Sequence, residues 1–524
     1  MEKDKAASRP NIVMIMADQL AAASLHCYGS GVPSTPVLDQ LAARGVRFDR
    51  CYASATVCAP SRATFLTGRS PEIHGVTDNN LLLTTDTPTY AHVLGASGYR
   101  SGGFGKFHQT PMQQPLPSNF AYLGFTESVA TEDTKLGPWL DWIAQEHPGH
   151  YETALAVAWQ MNYLNRYGEA QIDLVQSKFA AEMRIVKPLR DQSEWQIMYP
   201  SPLPKELHQT TYITDLGIDF MRRHTEQHPE EPFFCKISYV DPHDPYSPPA
   251  PYDTMFAPDD MPLPVRASTS KYDSEWLEAS KDFHGFREII GNEPAIRRLR
   301  ALYHGSLKFM DDQIGRIVKF LEEQGLFENT IVVFTTDHGE MLGDHDLITK
   351  GNMFYDKAIR CPLIVCGSGV RRGETVDRLT CSLDFFPTFC DWAGMTERPP
   401  QEGKSFAEAC GSSEYGGGWH EIIVESLAQR CLITSDGWRL TISDEERGHQ
   451  MFHLQEDPDE QRNLFEDPER ADAKERLMIR LFRALMRPKQ TQQYRNLPQA
   501  DGMRCLVKDF ELVHCCQNFK GENE

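Results

Sequence analysis

The sequence alternates continuous apolar runs with segments of helical periodicity. Residues 11–17 and 331–336 are almost wholly apolar or β-branched, and they lack the alternation of a strand that has one face in solvent. Such runs are typical of strands buried on both faces. Before the second run, Leu307, Met310 and Ile314 recur at helical spacing. Helices that alternate with buried strands predict an α/β fold, with a large, mixed, mostly parallel sheet sandwiched between helices.

The character of the chain changes near residue 400. After a stretch rich in proline and glycine, short alternating strands are predicted between residues 431 and 454, and a helix follows at 471–486. We therefore expect two units. The first is a larger α/β domain over residues 1–400, in which about 112–205 forms an insertion or lid. The second is a smaller α+β subdomain over residues 415–524, which includes a C-terminal tail.

Charge and composition exclude several partners. With 53 basic and 74 acidic residues, the chain has a formal net charge of −21 and no basic cluster, so nucleic-acid binding is not expected. No apolar stretch approaches the ~20 residues that cross a bilayer, so no membrane partner is expected. The first ten residues are polar, and the apolar run after them is too short for a signal peptide. This favours a cytoplasmic protein, although a chain whose leader had been removed would read the same.

The cysteines and the tail bear on redox chemistry and assembly. The 13 cysteines are odd in number and form no Cys-x-x-Cys pair, so we expect neither disulfides nor a zinc site. The tail beyond residue 487 contains Leu506, Phe510 and Leu512, which is more apolar surface than a protein leaves exposed. We expect this tail to pack on a neighbouring subunit of a homo-oligomer or to cap the cleft of its own chain.

Acidic residues follow two of the predicted buried strands. Asp18 comes directly after the first apolar run, and Asp337 and His338 come directly after the second. Ligand sites of open α/β sheets lie beyond the carboxyl ends of the strands, so these groups are expected to meet there. Each acid alone also suits a helix cap or a loop. Two neighbouring carboxylates repel each other unless a cation lies between them, which favours a divalent metal.

A cysteine stands at the predicted start of a short helix. Cys58 is followed by Pro60 and Arg62, and the helix that they open ends at Gly68. Unpaired N–H groups and the helix dipole at a helix N-terminus stabilise anions and lower the pKa of a thiol. The alternative is an ordinary cysteine at a helix start. The full run from Cys58 to Gly68 favours a nucleophile.

Cations and histidines follow other predicted strands. Lys106 and His108 would point to the same face if this segment is extended, because side chains alternate along a strand. His243 follows the apolar run 233–240, and Lys350 lies a short way past the second acidic pair. Taken singly, each lysine could be an ordinary surface residue and each histidine an ordinary loop residue. Together they would bring cations and proton-transfer groups to one pocket.

These residues belong to longer motifs that resemble the sulfatases of the alkaline phosphatase superfamily. The motifs are Cys58-Ala59-Pro60-Ser61-Arg62 with Thr67-Gly68, Gly98-Tyr99 through His108, Phe334 through Gly339, Pro36 through Gly45, and Leu454 through Leu464. The resemblance covers nearly the whole chain except the expected insertion and the last 35 or so residues. It implies the expected fold and the hydrolysis of sulfate monoesters to an alcohol and inorganic sulfate.

The resemblance also implies roles for individual residues. A maturation enzyme would convert Cys58 to formylglycine, whose hydrate supplies the nucleophilic hydroxyl, attacks sulfur and later expels sulfate. Lys106, Lys350 and His243 match residues that hold the sulfate group, and His243, or Lys350 with it, would protonate the departing alcohol. Arg62 matches the residue that supports formylglycine, with His108 nearby. The implied ligands of one divalent metal are Asp18, Gln19, residue 58, Asp337 and His338.

Two positions depart from the common pattern of the family. Gln19 stands where a second acid is usual, and His338 stands where an asparagine is usual. Calcium prefers all-oxygen ligand sets, whereas an imidazole suits manganese, so either metal is open. The same pattern is similar to that of phosphonate monoester hydrolases and choline sulfatases. Hydrolysis of phosphonate monoesters or phosphodiesters is therefore the alternative reaction, and a non-catalytic binding homologue is the third hypothesis. Retention of Lys106 and His108 favours a small anionic sulfate ester as substrate.

Overall fold

The computed structural model describes residues 9–110, 120–158, 169–190, 197–268, 275–282 and 285–487. The strands are β1 (Asn11–Ala17), β2 (Gly45–Tyr52), β3 (Arg100–Gly105), β4 (Glu127–Ala130), β5 (Phe233–Ser238), β6 (Thr330–Thr336), β7 (Arg360–Gly367), β8 (Glu374–Val376), β9 (Thr380–Cys381), β10 (Glu421–Glu425), β11 (Gln429–Thr434), β12 (Trp438–Ser443) and β13 (Gln450–His453). The helices are α1 (Pro36–Ala43), α2 (Cys58–Thr67), α3 (Pro71–His74), α4 (Tyr90–Ala96), α5 (Pro138–Glu146), α6 (Tyr151–Ala156), α7 (Glu169–Ala181), α8 (Gln209–Gln227), α9 (Glu275–Ser280), α10 (Phe286–Gly291), α11 (Glu293–Glu323), α12 (Asp356–Ile359), α13 (Phe385–Trp392), α14 (Ala407–Gly411) and α15 (Ala471–Leu485).

Nine strands form the main sheet. Their order is β4-β3-β5-β1-β6-β7-β2-β8, with β9 also beside β2. Strand β7 runs antiparallel to both β6 and β2, and the other pairings of this sheet are parallel. The expected mixed, mostly parallel α/β sheet is confirmed. The two apolar runs that predicted it, β1 and β6, are direct neighbours at its centre.

The main sheet is covered on both faces, as its continuous apolar strands require. Val13 and Ile15 of β1 face a core that α1, α8 and α11 complete. Ile12 and Met14 face the opposite core, which contains side chains of α2, α4 and α13. Successive side chains of a strand point to opposite faces, and both faces of this sheet are covered. Every residue of β1 is therefore buried. This sandwich leaves the ends of the strands as the place for a site.

The expected C-terminal subdomain contains an antiparallel sheet of four strands in the order β10-β11-β12-β13. The sequence predicted the last three of these strands but not β10. Leu477 and Leu481 of α15 pack on Leu432 and Leu440 of this sheet. The opposite side of the sheet joins a cluster that includes Tyr52 of the main domain. The tail that was expected to form an oligomer contact lies outside the described residues from 488 onward.

The segment expected to be an insertion is partly built into the main sheet and partly packed as a separate group of helices. Strand β4 extends the main sheet as its edge strand beside β3. Helices α5, α6 and α7 follow, and Trp139, Ile143, Leu155 and Val186 belong to a separate apolar cluster. The loop between β4 and α5 runs along the carboxyl edge of the main sheet, where the candidate site lies.

Across the ranges that the structure describes, no helix combines the length and the apolar character needed to span a bilayer.

Candidate active site

The two predicted acids meet at the carboxyl edge of the main sheet. Asp18 follows β1 and Asp337 follows β6, and Ala17 lies opposite Thr336 in the register of these strands. Both side chains are fully buried. Parallel strands end at the same edge, so two acids that each follow a strand necessarily become neighbours. The backbone N–H groups of Gln19 and His338 donate to Oδ1 of Asp337 at 3.1 and 3.0 Å, which fixes this carboxylate.

The candidate nucleophile faces these acids from the first turn of α2. The Sγ atom of Cys58 lies 3.1 Å from Nε2 of His338 and 3.8 Å from Oδ1 of Asp18. The backbone N–H of Ala59 donates to Oδ1 of Asn79 at 2.9 Å, and this hydrogen bond stabilises the start of the helix. Burial raises the pKa of the Cys58 thiol to about 12, and the charge of Asp18 adds to this. The expectation of a lowered thiol pKa is therefore wrong, because these two effects outweigh the helix N-terminus.

Four buried groups converge in a way that suits a metal ion. Ligand atoms of Asp18, Cys58, Asp337 and His338 all lie within 4.8 Å of one another. Nδ1 of His338 lies 3.1 Å from the carbonyl oxygen of Gly339, so this nitrogen donates and Nε2 keeps its lone pair. Burial lowers the pKa of His338 to about 4, so the ring is neutral, as a metal ligand must be. Two carboxylates beside a free imidazole lone pair fit a divalent cation.

Arg62 joins the two acids from the second turn of α2. Its Nε atom donates to Oδ2 of Asp337 at 2.7 Å, and its Nη2 atom lies 3.6 Å from Oδ2 of Asp18. Its Nη1 atom donates to the carbonyl oxygen of Lys106 and to Oγ of Ser238, both at 2.9 Å. The guanidinium group is 1% exposed. It therefore fixes both carboxylates and the chain segment that carries Lys106.

The ammonium group of Lys106 lies between two carboxylates. It forms ion pairs with Asp18 and with Asp133, and all three side chains are buried. Burial alone would raise the pKa of Asp18, but Lys106 and other nearby cations hold it well below its usual value. Burial likewise opposes the charge of Lys106, yet Asp133 and Asp18 raise its pKa well above the usual value. The three groups therefore stay ionised together.

The segment that contains His108 is turned rather than extended. Strand β3 ends at Gly105, and the φ angle of His108 is +52°. The condition under which alternation would put Lys106 and His108 on one face of a strand is therefore not met. Glu132 supports the turn, because its Oε1 atom accepts the N–H groups of Phe107 and His108 at 3.0 and 2.9 Å. Burial lowers the pKa of His108 to about 3, and both ring nitrogens are buried without a hydrogen-bond partner among the described residues.

Lys350 and His243 form a pair on the other side of the site. The ammonium group of Lys350 donates to Nε2 of His243 and to the side-chain oxygen of Gln19. Nδ1 of His243 lies 2.7 Å from the carbonyl oxygen of Asp244, so Nδ1 carries a proton and Nε2 accepts. The proton shared by this pair therefore resides on Lys350.

The side chain of Gln19 is directed into this lysine network. Its φ angle is +60°, and its amide nitrogen donates to Glu340 and, at 3.2 Å, to Asp244. Its amide oxygen accepts from Lys350, so the structure does not bring this oxygen to the four converging groups as a free ligand. Glu340 in turn accepts the hydroxyl of Tyr246 at 3.0 Å.

Sequence reasoning missed four buried acids of the site: Glu132, Asp133, Asp244 and Glu340. Asp244 is next to His243, and Glu340 is three residues after Asp337, so their position beside recognised motifs was an available signal. Glu132 and Asp133 lie in the segment that was interpreted as an insertion, and no local pattern pointed to them.

A cavity of about 420 Å³ opens beside the nucleophile. Val57, Pro60 and Gly351 line its inner side, and they adjoin Cys58 and Lys350 in the chain. Leu427 and Arg430 of the C-terminal sheet line its other side.

The site contains a buried candidate nucleophile together with two carboxylates, two lysines and an arginine. Groups of this kind are suited to bind and cleave an anionic ester. They define a hydrolase site at the carboxyl edge of an α/β sheet. The sequence model of the sulfatase family matches residues 10–395, and that of the N-sulphoglucosamine sulphohydrolase C-terminal region matches residues 343–487. The chain belongs to the sulfatase family.

Individual relatives agree with this assignment. An arylsulfatase of Clostridium perfringens is 30% identical over 496 residues, which cover 90% of this chain and 94% of the relative. A choline-sulfatase of Rhizobium meliloti is 26% identical over 476 residues, which cover 88% and 83%. The solved phosphonate monoester hydrolase from Silicibacter pomeroyi superposes with a TM-score of 0.74 at 25% identity, covering 92% of this chain and 96% of that one. The resemblance noted in the sequence is confirmed, and the chain is a sulfuric ester hydrolase.

Proposed function

We propose that this chain hydrolyses small anionic sulfate monoesters to an alcohol and inorganic sulfate, with a formylglycine made from Cys58 and one divalent metal. The observation that carries the proposal is the position of Cys58. Its side chain is 1% exposed and lies between Asp18 and His338, at the start of the Cys-x-Pro-x-Arg helix. The ester would approach from the cavity that Val57, Pro60 and Gly351 line.

The donor set supports a metal and a modified residue 58. Asp18, Asp337, His338 and residue 58 would hold the ion, and the neutral imidazole favours manganese over calcium. When bound, the metal acts as a Lewis acid towards the ester oxygens and lowers the pKa of a hydroxyl group. An unmodified thiol with a pKa of about 12 is protonated at neutral pH, which suits a residue that is converted before it acts. The amide oxygen of Gln19 accepts from Lys350, so Gln19 would become a metal ligand through the second lone pair of that oxygen.

The basic side chains would bind and orient the ester. Lys106 and Lys350 would bind the anionic oxygens of the sulfate group, since Lys106 is buried, Lys350 is partly buried, and burial does not prevent either from being charged. Arg62 keeps Asp18 and Asp337 in place and would support residue 58 from the same helix. His108 presents two ring nitrogens without partners among the described residues, and a hydroxyl at position 58 would suit one of them.

The Lys350–His243 pair would supply the proton for the departing alcohol. Nδ1 of His243 is engaged by the carbonyl of Asp244, and its Nε2 accepts from Lys350. The proton therefore starts on Lys350 and leaves on the oxygen of the alcohol, and His243 orients that donor. General acid catalysis of this kind contributes typically ~10² to 10⁴ in rate.

The modification is tested directly by mass spectrometry. After expression with a formylglycine-generating enzyme, the tryptic peptide from Cys51 to Arg62 should show the mass of an aldehyde at position 58 in place of the thiol. Cys58→Ala should abolish turnover of 4-nitrophenyl sulfate while leaving the thermal unfolding of the protein unchanged. Full activity of a protein whose Cys58 is unmodified would contradict the proposal.

Phosphonate monoester hydrolysis is the second candidate function. It is favoured by Gln19 and His338 at positions that depart from the common sulfatase pattern, and by the similarity to the phosphonate monoester hydrolase of Silicibacter pomeroyi. The two reactions are compared with 4-nitrophenyl sulfate and 4-nitrophenyl phenylphosphonate under identical conditions. Faster turnover of the phosphonate would favour the second function, and turnover of neither ester by the matured, metal-loaded protein would favour a non-catalytic homologue.

A further inference from the structure

Asp133 adds a third negative charge to the site without supporting the nucleophile. It lies in the loop after β4, is 5% exposed, and forms an ion pair with Lys106. Burial would raise the pKa of Asp133, but the charge of Lys106 lowers it well below its usual value, so the carboxylate is ionised. Asp133 therefore both orients the ammonium group of Lys106 and places a negative charge beside it.

The carboxylate of Asp133 shares one ammonium group with an acid of the candidate metal site. Lys106 pairs with Asp133 and with Asp18, and Asp18 also lies beside Arg62. An ammonium group has three N–H donors. In Lys106, Asp18 and Asp133 take two directions, which leaves one donor for an oxygen of the bound ester. Asp133 therefore faces the same ammonium group that would bind the ester.

We infer that Asp133 is a specificity-determining residue, whose negative charge beside Lys106 disfavours dianionic phosphate monoesters relative to monoanionic esters. The inference rests on the proposed function, because it assumes that Lys106 contacts the ester. A sulfate monoester and a phosphate monoester have similar shapes, but the phosphate carries a second negative charge above its second pKa of about 6. That additional charge is repelled by Asp133, which lies one ammonium group away.

The expected size of the effect follows from Coulomb's law. One unit charge acting on another at roughly 5 Å, with an effective dielectric constant of about 20, corresponds to a factor on the order of 100. Solvent that enters the open cavity screens this interaction. Removing the charge of Asp133 should therefore favour the dianion over the monoanion by about tenfold.

The experiment compares three esters that share a 4-nitrophenol leaving group, with the matured, metal-loaded enzyme at pH 8. These are 4-nitrophenyl sulfate, 4-nitrophenyl phosphate and methyl 4-nitrophenyl phosphate. The last is a phosphorus ester with the single charge of the sulfate. Asp133→Asn should raise the kcat/KM of the phosphate monoester relative to the sulfate by about tenfold. The ratio for the methyl diester relative to the sulfate should change by less than about threefold, because both are monoanions.

Two control variants accompany the comparison. Asp133→Glu keeps the charge and should retain the wild-type ratios. Asp141→Asn removes an exposed carboxylate from α5 in the same segment of the chain and should leave all three activities unchanged. If Asp133→Asn does not fold, Asp133→Ser is measured in its place.

Three results would overturn the inference. One is a phosphate-to-sulfate ratio that changes less than threefold in Asp133→Asn. Another is an equal gain for the methyl diester, which would mean that the residue selects phosphorus rather than charge. The third is loss of all activity in a folded variant, which would place Asp133 in the chemical step itself. Failure of the wild-type enzyme to hydrolyse 4-nitrophenyl sulfate would instead refute the proposed function.

Discussion

Replacing Arg62 by methionine should destabilise the metal-free protein strongly. Arg62 is 1% exposed, and its ion pair with Asp337 has a distance of 2.7 Å. Removing one partner of a buried ion pair typically costs about 3–5 kcal/mol, because the remaining charge is left in a medium that solvates it poorly. The hydrogen bonds to Lys106 and Ser238 add about 1 kcal/mol each when considered alone. Since these contributions share one side chain, we expect a total near 3–5 kcal/mol.

A double variant separates the charge from the packing. In Arg62→Met combined with Asp337→Asn, no unpaired carboxylate remains at position 337. The double variant should therefore be destabilised by less than the sum of the two single variants. A coupling of about 0.5–3 kcal/mol is expected for groups in direct contact.

The assay is guanidinium-induced unfolding in the presence of a chelator, followed by tryptophan fluorescence. The control is Arg44→Met, which removes an ion pair with Glu322 at 2.7 Å whose side chains are 38% and 46% exposed. Exposed pairs contribute about 0–1 kcal/mol, so the control should stay close to wild type. The reasoning is refuted if Arg62→Met lies within 1 kcal/mol of the control, or if the two single variants add without coupling.

Three further variants test the proton donor, the metal and a buried lysine. Lys350→Met should reduce the hydrolysis of alkyl sulfates far more than that of 4-nitrophenyl sulfate, whose leaving group needs little protonation; equal losses would assign Lys350 to sulfate binding alone. His338→Asn should shift the reactivation of chelated enzyme from manganese towards calcium, and an unchanged preference would exclude His338 as a ligand. Burial lowers the pKa of Lys236 to about 7, whereas the unfolded chain keeps this proton up to about pH 10.4. The free energy of unfolding of the wild-type protein therefore rises between pH 7 and pH 10. Lys236→Met should be more stable than the wild type at pH 7 and should lose that advantage by pH 10. A stability difference that does not depend on pH would contradict this reasoning.

The parts of the fold that follow from periodicity were predictable from the sequence. Strands β1 and β6 are continuous apolar runs, and only a strand covered on both faces allows that composition. Asp18 and Asp337 could be expected to meet, because residues that follow parallel strands share one edge of the sheet. These inferences use only the position of a residue relative to its own strand.

The parts that failed depend on contacts between distant segments. The turn at His108 is held by Glu132, 24 residues further along the chain, so the alternation of a strand does not apply beyond Gly105. The pKa of Cys58 is raised by burial and by Asp18, and neither effect is visible in the local helix signal. The contacts of Asp133 with Lys106 and of Gln19 with Lys350 join distant segments, and no spacing in the sequence specifies them.

The burial of Cys58 would set a time limit on the conversion to formylglycine that we propose. Cys58 is 1% exposed, and its contact His338 lies 280 residues further along the chain. Until that part of the chain has been synthesised, β6 is missing and the main sheet cannot close over the cysteine. At about 5–20 residues per second, the interval lasts roughly 15 to 55 s. A maturation enzyme that acts within this interval meets an accessible peptide, whereas one that arrives later meets a folded domain. The fraction of active molecules would then depend on the rate of modification relative to the rate of folding. Rapid overproduction should therefore yield chains that are folded but inactive.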